Sequence, residues 1–265
     1  MASFSVVSNV SAQNAQANLN TTNIGLQRTL TRLSSGFRIN QAGDDAAGLA
    51  VANAYRSEQA VLNQGIRNAN DGLSTLQIKN GALDNVSTLL DRLATLASQS
   101  ASAGFSGNRT TLNNEFTDVV AEISREVTVA GLGTAQGFSV FVSSGTSGTV
   151  GGTIGAASTA TLGISGLDIS SAAGAATAVT AITSAVATVG TVVGSVGSLQ
   201  NRLQYATSLA QYQVVNTKAA ESRIRDANVA EESANLARFN ILTQSGIAAL
   251  AQANQQSGAV LSLLR

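Results

Sequence analysis

The chain has 265 residues, enough for one large domain or two small ones, and 44% of them are hydrophobic, which suffices for a core. The 15 basic residues balance the 15 acidic ones, so no charge excess marks a surface for nucleic acid or anionic lipid. Cys and His are absent, which excludes disulfides and thiolate metal sites and removes the commonest general base. We therefore expect a protein that is not an enzyme, holds no cofactor or metal, and binds neither nucleic acid nor membrane.

Small side chains dominate the sequence, since aromatic residues make up only 4% and Trp is absent. Pro is also absent, which favours uninterrupted helix because Pro costs about 3 kcal/mol in a helix interior. A buried Ala methyl contributes roughly 0.8 kcal/mol, against about 1.5–3 kcal/mol for a buried Leu. Alanine-rich helices therefore need length or partners to be stable.

The first helix is predicted from about Ser5 to Ser34, and Gly36 ends it. Its apolar residues form an interacting stripe of two adjacent heptad rows, with Leu30 between them. One row is Ala12, Leu19, Leu26 and Leu33, and the other is Val10, Ala17 and Ile24.

A second helix is predicted from about Asp44 to Ser100, with its apolar residues at coiled-coil spacing. Turn residues at 104–108 end it, and no uninterrupted run of 18 or more apolar residues occurs anywhere, so we predict no membrane span. The stripe of the second helix is Leu62, Ile66, Ala69, Leu73, Leu76, Asn80 and Leu83, and a shorter third helix carries Leu112, Phe116, Val119, Ile123 and Val127 on one face.

The middle of the chain is almost uncharged, because Asp168 is the only charged residue between Glu126 and Arg202. Apolar residues alternate around Val140 and, more weakly, in TATLGIS at 159–165. This pattern predicts about two short β-hairpins joined by glycine turns. A disordered linker is the alternative, which the low charge and the Val, Ile and Phe content disfavour.

Helix is predicted again from about Ala173 almost to the C-terminus. Three glycines at 190, 194 and 197 should each cost about 1 kcal/mol, which suggests close contact with a neighbouring helix or a bend near Gly190. The apolar seam is predicted at Leu203, Ala206 and Ala210 and then at Ala230, Ala234, Ala237, Ile241, Ala248 and Ala251, with Leu236, Ile247 and Leu250 on a neighbouring face. We expect the terminal helices to bury one face against each other and another against different copies, and to become ordered mainly upon assembly.

Asp44 and Asp45 could form a metal site or an acid/base pair. Their place at a predicted helix start favours another role, in which the carboxylates accept free backbone N–H groups at the positive end of the helix dipole.

Long motifs near both ends resemble bacterial flagellin. They are LSSGFRINQAGDDAAGLAVA from Leu33, RNANDGLSTLQ from Arg67, LQNRLQYA from Leu199, and SRIRDANVAEE and ILTQSGIAALAQANQ near the C-terminus. The resemblance covers roughly residues 1–130 and 165–265 and indicates a short member of the family with a minimal variable region.

The resemblance implies a mainly α fold, a long antiparallel coiled-coil or helical-bundle rod with paired terminal helices and a small β-hairpin region. Expected domains are an inner coiled coil (1–42 and 226–265), a rod (43–130 and 172–225) and a β-rich outer segment (131–171). The implied function is structural, as a subunit that self-assembles into the flagellar filament for swimming. The alternative is a hook–filament junction protein or another axial protein exported by the type III route.

The resemblance also implies partners and a location. The partners are further copies of the chain, the flagellar export apparatus, an export chaperone, and the filament cap and junction proteins. The expected location is the extracellular filament, reached without cleavage of a signal peptide. Residues expected at inter-subunit contacts are Leu19, Leu26, Leu33, Arg38, Asp44, Asp45, Arg92, Ile241, Ile247, Leu250, Leu261 and Leu264.

One departure from the family concerns recognition by an innate immune receptor of the host. Receptor-activating flagellins present an arginine and, shortly after it, a glutamate in the segment that starts here at Leu89. This chain keeps Arg92 but has Thr95 at the acidic position. We therefore predict weak or no activation of the receptor.

Overall fold

The computed structural model describes residues 9–145 and 148–263, with side chains described as far as residue 255. Within these residues the chain forms long helices and one antiparallel two-stranded sheet, which confirms the mainly α class with a small hairpin. The elements are α1 Val10–Ser35, α2 Ala46–Ala101, α3 Arg109–Val129, β1 Gln136–Phe141, β2 Thr149–Ile154, α4 Ala172–Arg225 and α5 Val229–Leu263.

The chain divides into two compact units. The terminal unit comprises Met1–Ser57 and Thr217–Arg265, and the central unit comprises Glu58–Asn216. Among the described residues, Ile39 and Ala52 are the only buried apolar side chains outside the central unit. The two units therefore differ greatly in how much core each one has.

The central unit has a continuous hydrophobic core between α2, α3 and α4. The predicted stripe of α2 faces this core, with Leu62, Leu76 and Leu83 almost completely buried. Buried residues of α3 and α4 recur at intervals of three, four or seven positions, which is the spacing of one helix face. They are Phe116, Ile123 and Val127 on α3, and Ala175, Ala178, Ile182, Ala185, Val189, Val192, Val196, Leu199, Leu203 and Ala210 on α4.

The hairpin β1–β2 docks closely on helices of the same unit. A Cβ on Gly65 of α2 would lie 1.7 Å from the carbonyl oxygen of Val142, so the hairpin end touches the helix backbone directly. A Cβ on Gly72 would lie 2.8 Å from Val140, and one on Gly152 of β2 would lie 2.8 Å from Leu199. Glycine on α2 is thus required by the close approach of the strand.

The sequence prediction of a second hairpin is wrong. TATLGIS forms turns, and β1–β2 is the only strand pair among the described residues. Leu162 and Ile164 are buried in the core of the central unit while Gly163 has φ of 69°, a conformation that interrupts a strand. The weak alternation of apolar residues there arises because a loop buries two side chains, Leu162 and Ile164, in the core.

The prediction of one continuous helix from about Ala173 is wrong. Helix does extend to Leu263, but it is interrupted, because α4 ends at Arg225 and α5 begins at Val229. The side chain of Asn228 accepts from the amide of Ala230 at 3.1 Å and so caps the new helix. Of the two explanations predicted for the glycines at 190, 194 and 197, close helix contact is not found within the chain, since an added Cβ would meet nothing within 4 Å at any of them. A bend near Gly190 stays a prediction.

Helix α4 also contains an 18-residue window with a mean hydropathy of 1.7, so by length and composition it is apolar enough to cross a membrane. This window contains no long uninterrupted apolar run, because Ser, Thr and Gly are interspersed among its apolar residues. The buried face of α4 in the central core supplies much of this hydropathy: a core helix of a globular unit gives the same signal.

Candidate assembly interface

The terminal unit is organised by the antiparallel pairing of α1 and α5. Leu19 packs on Gly246, where an added Cβ would lie 3.0 Å from the leucine methyl carbon. The Phe239 ring covers Gly25 on the opposite helix. At the start of the pair, the Asn9 amide group donates to the carbonyl of Ala253 at 2.8 Å, and the Asn9 side-chain oxygen caps α1.

Helix α1 uses only part of its apolar stripe for this pairing. The predicted row with Leu19, Leu26 and Leu33 is half-buried. The second predicted row is exposed, with Val10 60% and Ile24 45% exposed. Gly36 ends the helix as predicted, with φ of 75° and its amide bonded to the carbonyl of Arg32. One apolar row of α1 is therefore uncovered within the chain.

The face of α5 that packs on α1 is not the alanine row that was predicted as the seam. All six residues of the predicted alanine row are exposed, including Ile241 at 63%. Seven buried or half-buried positions repeat at alternating intervals of four and three: Glu232, Leu236, Phe239, Thr243, Gly246, Leu250 and Ala253. Asn235, next to Leu236, is also half-buried. Leu and Phe bury more apolar area than Ala, which explains why this face is chosen.

Of the other apolar residues predicted at contacts on α5, Leu250 lies in the α1–α5 seam and Ile247 is 56% exposed. The side chain of Leu261 and the whole of Leu264 lie outside the described residues. Phe239 and Gly246 were not singled out from the sequence. The spacing of Phe239 and Gly246, a large and a small residue one heptad apart, is the sequence feature that indicates a contact face there.

The segments that precede α2 and α5 are joined to each other by backbone hydrogen bonds. Phe37 and Asp226 form a bridge, and the amide of Arg38 donates to the carbonyl of Arg225 at 2.6 Å. The Arg38 side chain donates to the carbonyl of Ile224 at 2.8 Å, which is an orphan acceptor at the end of α4. The Arg225 guanidinium lies 4.1 Å from the centre of the Phe37 ring. Arg38 therefore ties the two connectors together.

Asp44 and Asp45 have different roles. Asp45 caps α2, since its carboxylate accepts from the amide of Gly48 at 2.8 Å. Asp44 instead accepts from the amides of Asn40 and Gln41, at 3.1 and 3.2 Å, and so shapes the connector. Among the described residues, no cluster of three or more His, Cys, Asp or Glu side chains is arranged to hold a metal ion.

The environment of Asp44 favours its ionised form. The hydrogen bond from the Asn40 amide is the main cause that lowers the pKa of Asp44, assisted by the Gln41 amide and by the positive charges of Arg32 and Arg28. Partial desolvation opposes these effects without reversing the direction.

Arg92 belongs to the central unit and forms an ion pair with Glu115 of α3, in which the Arg92 Nε lies 2.9 Å from a glutamate oxygen. The hydroxyl of Thr95 donates to the carbonyl of Arg92 at 2.7 Å. About half of the Arg92 side chain is exposed, so its guanidinium remains accessible from the surface.

Paired terminal helices with further uncovered apolar rows define a class of protein, the coiled-coil subunit of a self-assembling structure. Two family models match the chain: the bacterial flagellin N-terminal helical region at residues 6–132, and the bacterial flagellin C-terminal helical region at residues 179–264. The chain belongs to the bacterial flagellins, and it is a structural subunit of the flagellar filament.

Two relatives that match this chain over nearly its whole length support this assignment. The chain is 36% identical to a flagellin of Halalkalibacterium halodurans, covering 97% of this chain and 98% of the relative. It is 35% identical to the flagellar filament 33 kDa core protein of Treponema phagedenis, with the same coverage of both chains. A crystal structure of Bacillus cereus flagellin superposes with a TM-score of 0.49 at 25% identity, covering 58% of this chain and 94% of that one.

Proposed function

We propose that this flagellin polymerises through the apolar rows that α1 and α5 leave exposed, chiefly the row of α5 that contains Ala234, Ala237 and Ile241. The observation that carries the proposal is the exposure of this whole row in the terminal unit, whose own seam lies on another face of the helix. Exposed apolar rows at heptad spacing are typical of helices that pack against further helices.

The proposed mechanism is mechanical. Each terminal pair becomes an element of an inner layer, in which rows of small side chains permit close approach between copies. Such contacts can have more than one packing of nearly equal free energy, which lets a filament supercoil and convert motor torque into thrust. We propose the inner, rod and outer domains expected above as the parts of this subunit, with the terminal helices becoming ordered on assembly.

A charged residue in the exposed α5 row tests the proposal. Ile241→Glu should abolish polymerisation of the purified, concentrated chain, as seen by electron microscopy, because the carboxylate would be buried between copies without a partner. Asn240→Glu is the matched control, since Asn240 is exposed on the same helix but lies about 100° around the helix axis from Ile241, outside the row. The control should form long filaments.

The same micrographs separate the alternatives. Equal filament yields from Ile241→Glu and from the unchanged chain would contradict the proposed interface. Failure of the unchanged chain to form long filaments would instead favour the hook–filament junction protein or another axial protein exported by the type III route.

We further propose export by the flagellar type III apparatus with a chaperone, and assembly with the cap and junction proteins. The support is membership of the flagellin family. Export without cleavage predicts that the protein isolated from native filaments starts at Met1 or Ala2, which its intact mass would show. A shortened N-terminus would contradict this route.

Recognition by an innate immune receptor is proposed to be weak or absent. Arg92 is kept and about half exposed, but Thr95 supplies no carboxylate at the position where activating flagellins have a glutamate. A strong response of reporter cells to purified monomer would contradict this proposal, and Thr95→Glu should then add little.

A further inference from the structure

The α1–α5 pair contains three layers of contact, each with different chemistry. Layer 1 is Leu19 against Gly246, with a methyl carbon 3.0 Å from the position of an added Cβ. Layer 2 is Phe239 against Gly25, where an added Cβ would lie 2.6 Å from the ring. Layer 3 is the ion pair of Arg32 and Glu232, with nitrogen and oxygen 3.2 Å apart. On α5 the three layers are spaced by one heptad.

Layer 3 is not explained by stability alone. Glu232 is only 6% exposed, and its second carboxylate oxygen has no hydrogen-bond partner among the described residues. A buried carboxylate that is half satisfied gains less than its desolvation costs, and apolar residues of similar volume often serve at least as well. Buried ion pairs of this kind are best attested as determinants of register.

The residues of one layer do not fit the residues of the next layer, so a shifted pairing would create mismatched contacts. A shift of α5 by one heptad moves it by about 10.5 Å along α1. In one direction the Phe239 ring would meet Leu19 in place of the space above Gly25, and Glu232 would lie beside Gly25 without its arginine. In the other direction Phe239 would meet Arg32. No shifted arrangement restores more than one of the three matches.

We propose that these three unlike layers allow the terminal helices a single register, and that Gly25, Arg32, Glu232 and Phe239 are its specificity-determining residues. The rest of the seam consists mostly of Ala, Thr and Leu, which repeat along both helices and therefore do not by themselves exclude a heptad shift. Every copy in a filament must adopt the same register for its outer rows to align, so the consequence for assembly rests on the proposed function. The inference about the register within one chain is independent of the proposed function.

Disulfide cross-linking measures the register directly, because the natural chain contains no cysteine. Leu19→Cys with Gly246→Cys reports the observed register, since an added Cβ at 246 lies 3.8 Å from the Leu19 Cβ, an ordinary separation for a disulfide. Leu19→Cys with Ala253→Cys reports a shift of one heptad. Both reporters replace layer 1, so layers 2 and 3 hold the register, and only cross-links within single chains are counted.

The test variant removes the differences between the layers. Gly25→Ala with Phe239→Leu makes layer 2 uniform, and Arg32→Met with Glu232→Leu does so for layer 3. Together these four changes should raise the ratio of shifted to observed cross-link by at least about tenfold. Arg28→Met with Glu231→Leu is the control, because it removes the same two charges from exposed positions of the same helices and should leave the ratio unchanged.

Reversing the charges of the Arg32–Glu232 pair provides a second test of layer 3. Arg32→Glu should reduce the observed cross-link about tenfold, and adding Glu232→Arg should restore it. The inference is overturned if the ratio of shifted to observed cross-link stays at the parental value in the four-residue variant, since the joined connectors would then fix the register. It is also overturned if the parental chain cross-links equally with both reporters.

Cross-linking is performed on the free chain and on assembled material. The free chain decides the register even where no filament forms. Failure of the unchanged chain to polymerise would therefore contradict the proposed function without deciding the register.

Discussion

The terminal and central units of this flagellin are both built from long helices, yet they differ in what holds them together. Almost all of the buried large apolar side chains among the described residues, such as Leu90 and Phe116, lie in the central unit, between helices and a docked hairpin. The terminal unit is largely a two-helix pair with a half-buried seam and exposed residues such as Ile24 and Ile241. The buried core of the chain is concentrated in the central unit, whereas exposed large apolar side chains occur in both units and have little core beneath them in the terminal unit.

This difference teaches how a subunit can be stable before assembly and still polymerise. Each Å² of apolar surface that is buried contributes about 25 cal/mol to the free energy of folding, and this burial stabilises the central unit in the free chain. The exposed apolar rows of α1 and α5 contribute no such burial energy until another copy covers them. Isolated helix pairs with alanine-rich surfaces are marginal in water, so assembly and ordering of the terminal helices should be coupled.

Hydrogen exchange should show the largest effect. In dilute free chain, amides of α1 and α5 are expected to exchange at least about 1,000-fold faster than core amides of α2 near Leu90, because local opening of the terminal unit exposes little apolar surface. In filaments the terminal amides should become protected. Strong protection of both terminal helices in dilute monomer would remove the distinction between the units.

A pair of phenylalanine substitutions sharpens the comparison. Phe116→Ala should lower the free energy of unfolding of the central unit by about 3–5 kcal/mol, because Phe116 is almost completely buried. Phe239→Ala should leave that transition unchanged in the free chain and weaken the filament. Urea unfolding followed by circular dichroism measures the first effect, and the depolymerisation temperature measures the second. Equal losses in the free chain would contradict the comparison.

Within the central unit, the docking of the hairpin should be sensitive to one methyl group. Gly65→Ala places a Cβ against the carbonyl oxygen of Val142, a backbone atom, and the strand must shift. The expected loss is about 1–3 kcal/mol in urea unfolding. Gly81→Ala is the control on the same helix, where nothing lies within 4 Å and a gain of up to about 1 kcal/mol is expected. Equal effects of the two changes would exclude close docking.

The sequence predicted those features in which local pattern and packing agree. The end of α1 at Gly36, the stripe of α2 and the buried face of α3 follow from glycine conformation and heptad spacing. The choice of face on α5 did not, since two rows had suitable spacing and side-chain volume on the partner helix decided between them. The break after Arg225 depends on a cap by Asn228 and a bridge from Phe37, a residue nearly 190 positions away in sequence.

The smallest expected effect concerns the connector before α2. The amide hydrogen bonds of Asn40 and Gln41 hold the pKa of Asp44 below its ordinary value of 3.8. A carboxyl group whose pKa is lower in the folded state contributes stability that is complete above the unfolded value and is lost as the pH falls through the folded value. Asp44→Asn should therefore weaken the terminal unit near neutral pH and make no difference at the acidic end, where Asp44 is protonated.

Filament stability measured from neutral pH to about pH 2 would check this prediction, with Asp91→Asn as a control that removes an exposed carboxylate of α2. The difference between Asp44→Asn and the unchanged chain should be constant near neutral pH and should shrink progressively as the pH falls through the region around and below 3.8. A difference that vanishes well above that pH would mean that Asp44 has a raised pKa and does not order the connector by accepting these amides. The boundary segment would then depend on Arg38 and the Phe37–Asp226 bridge alone.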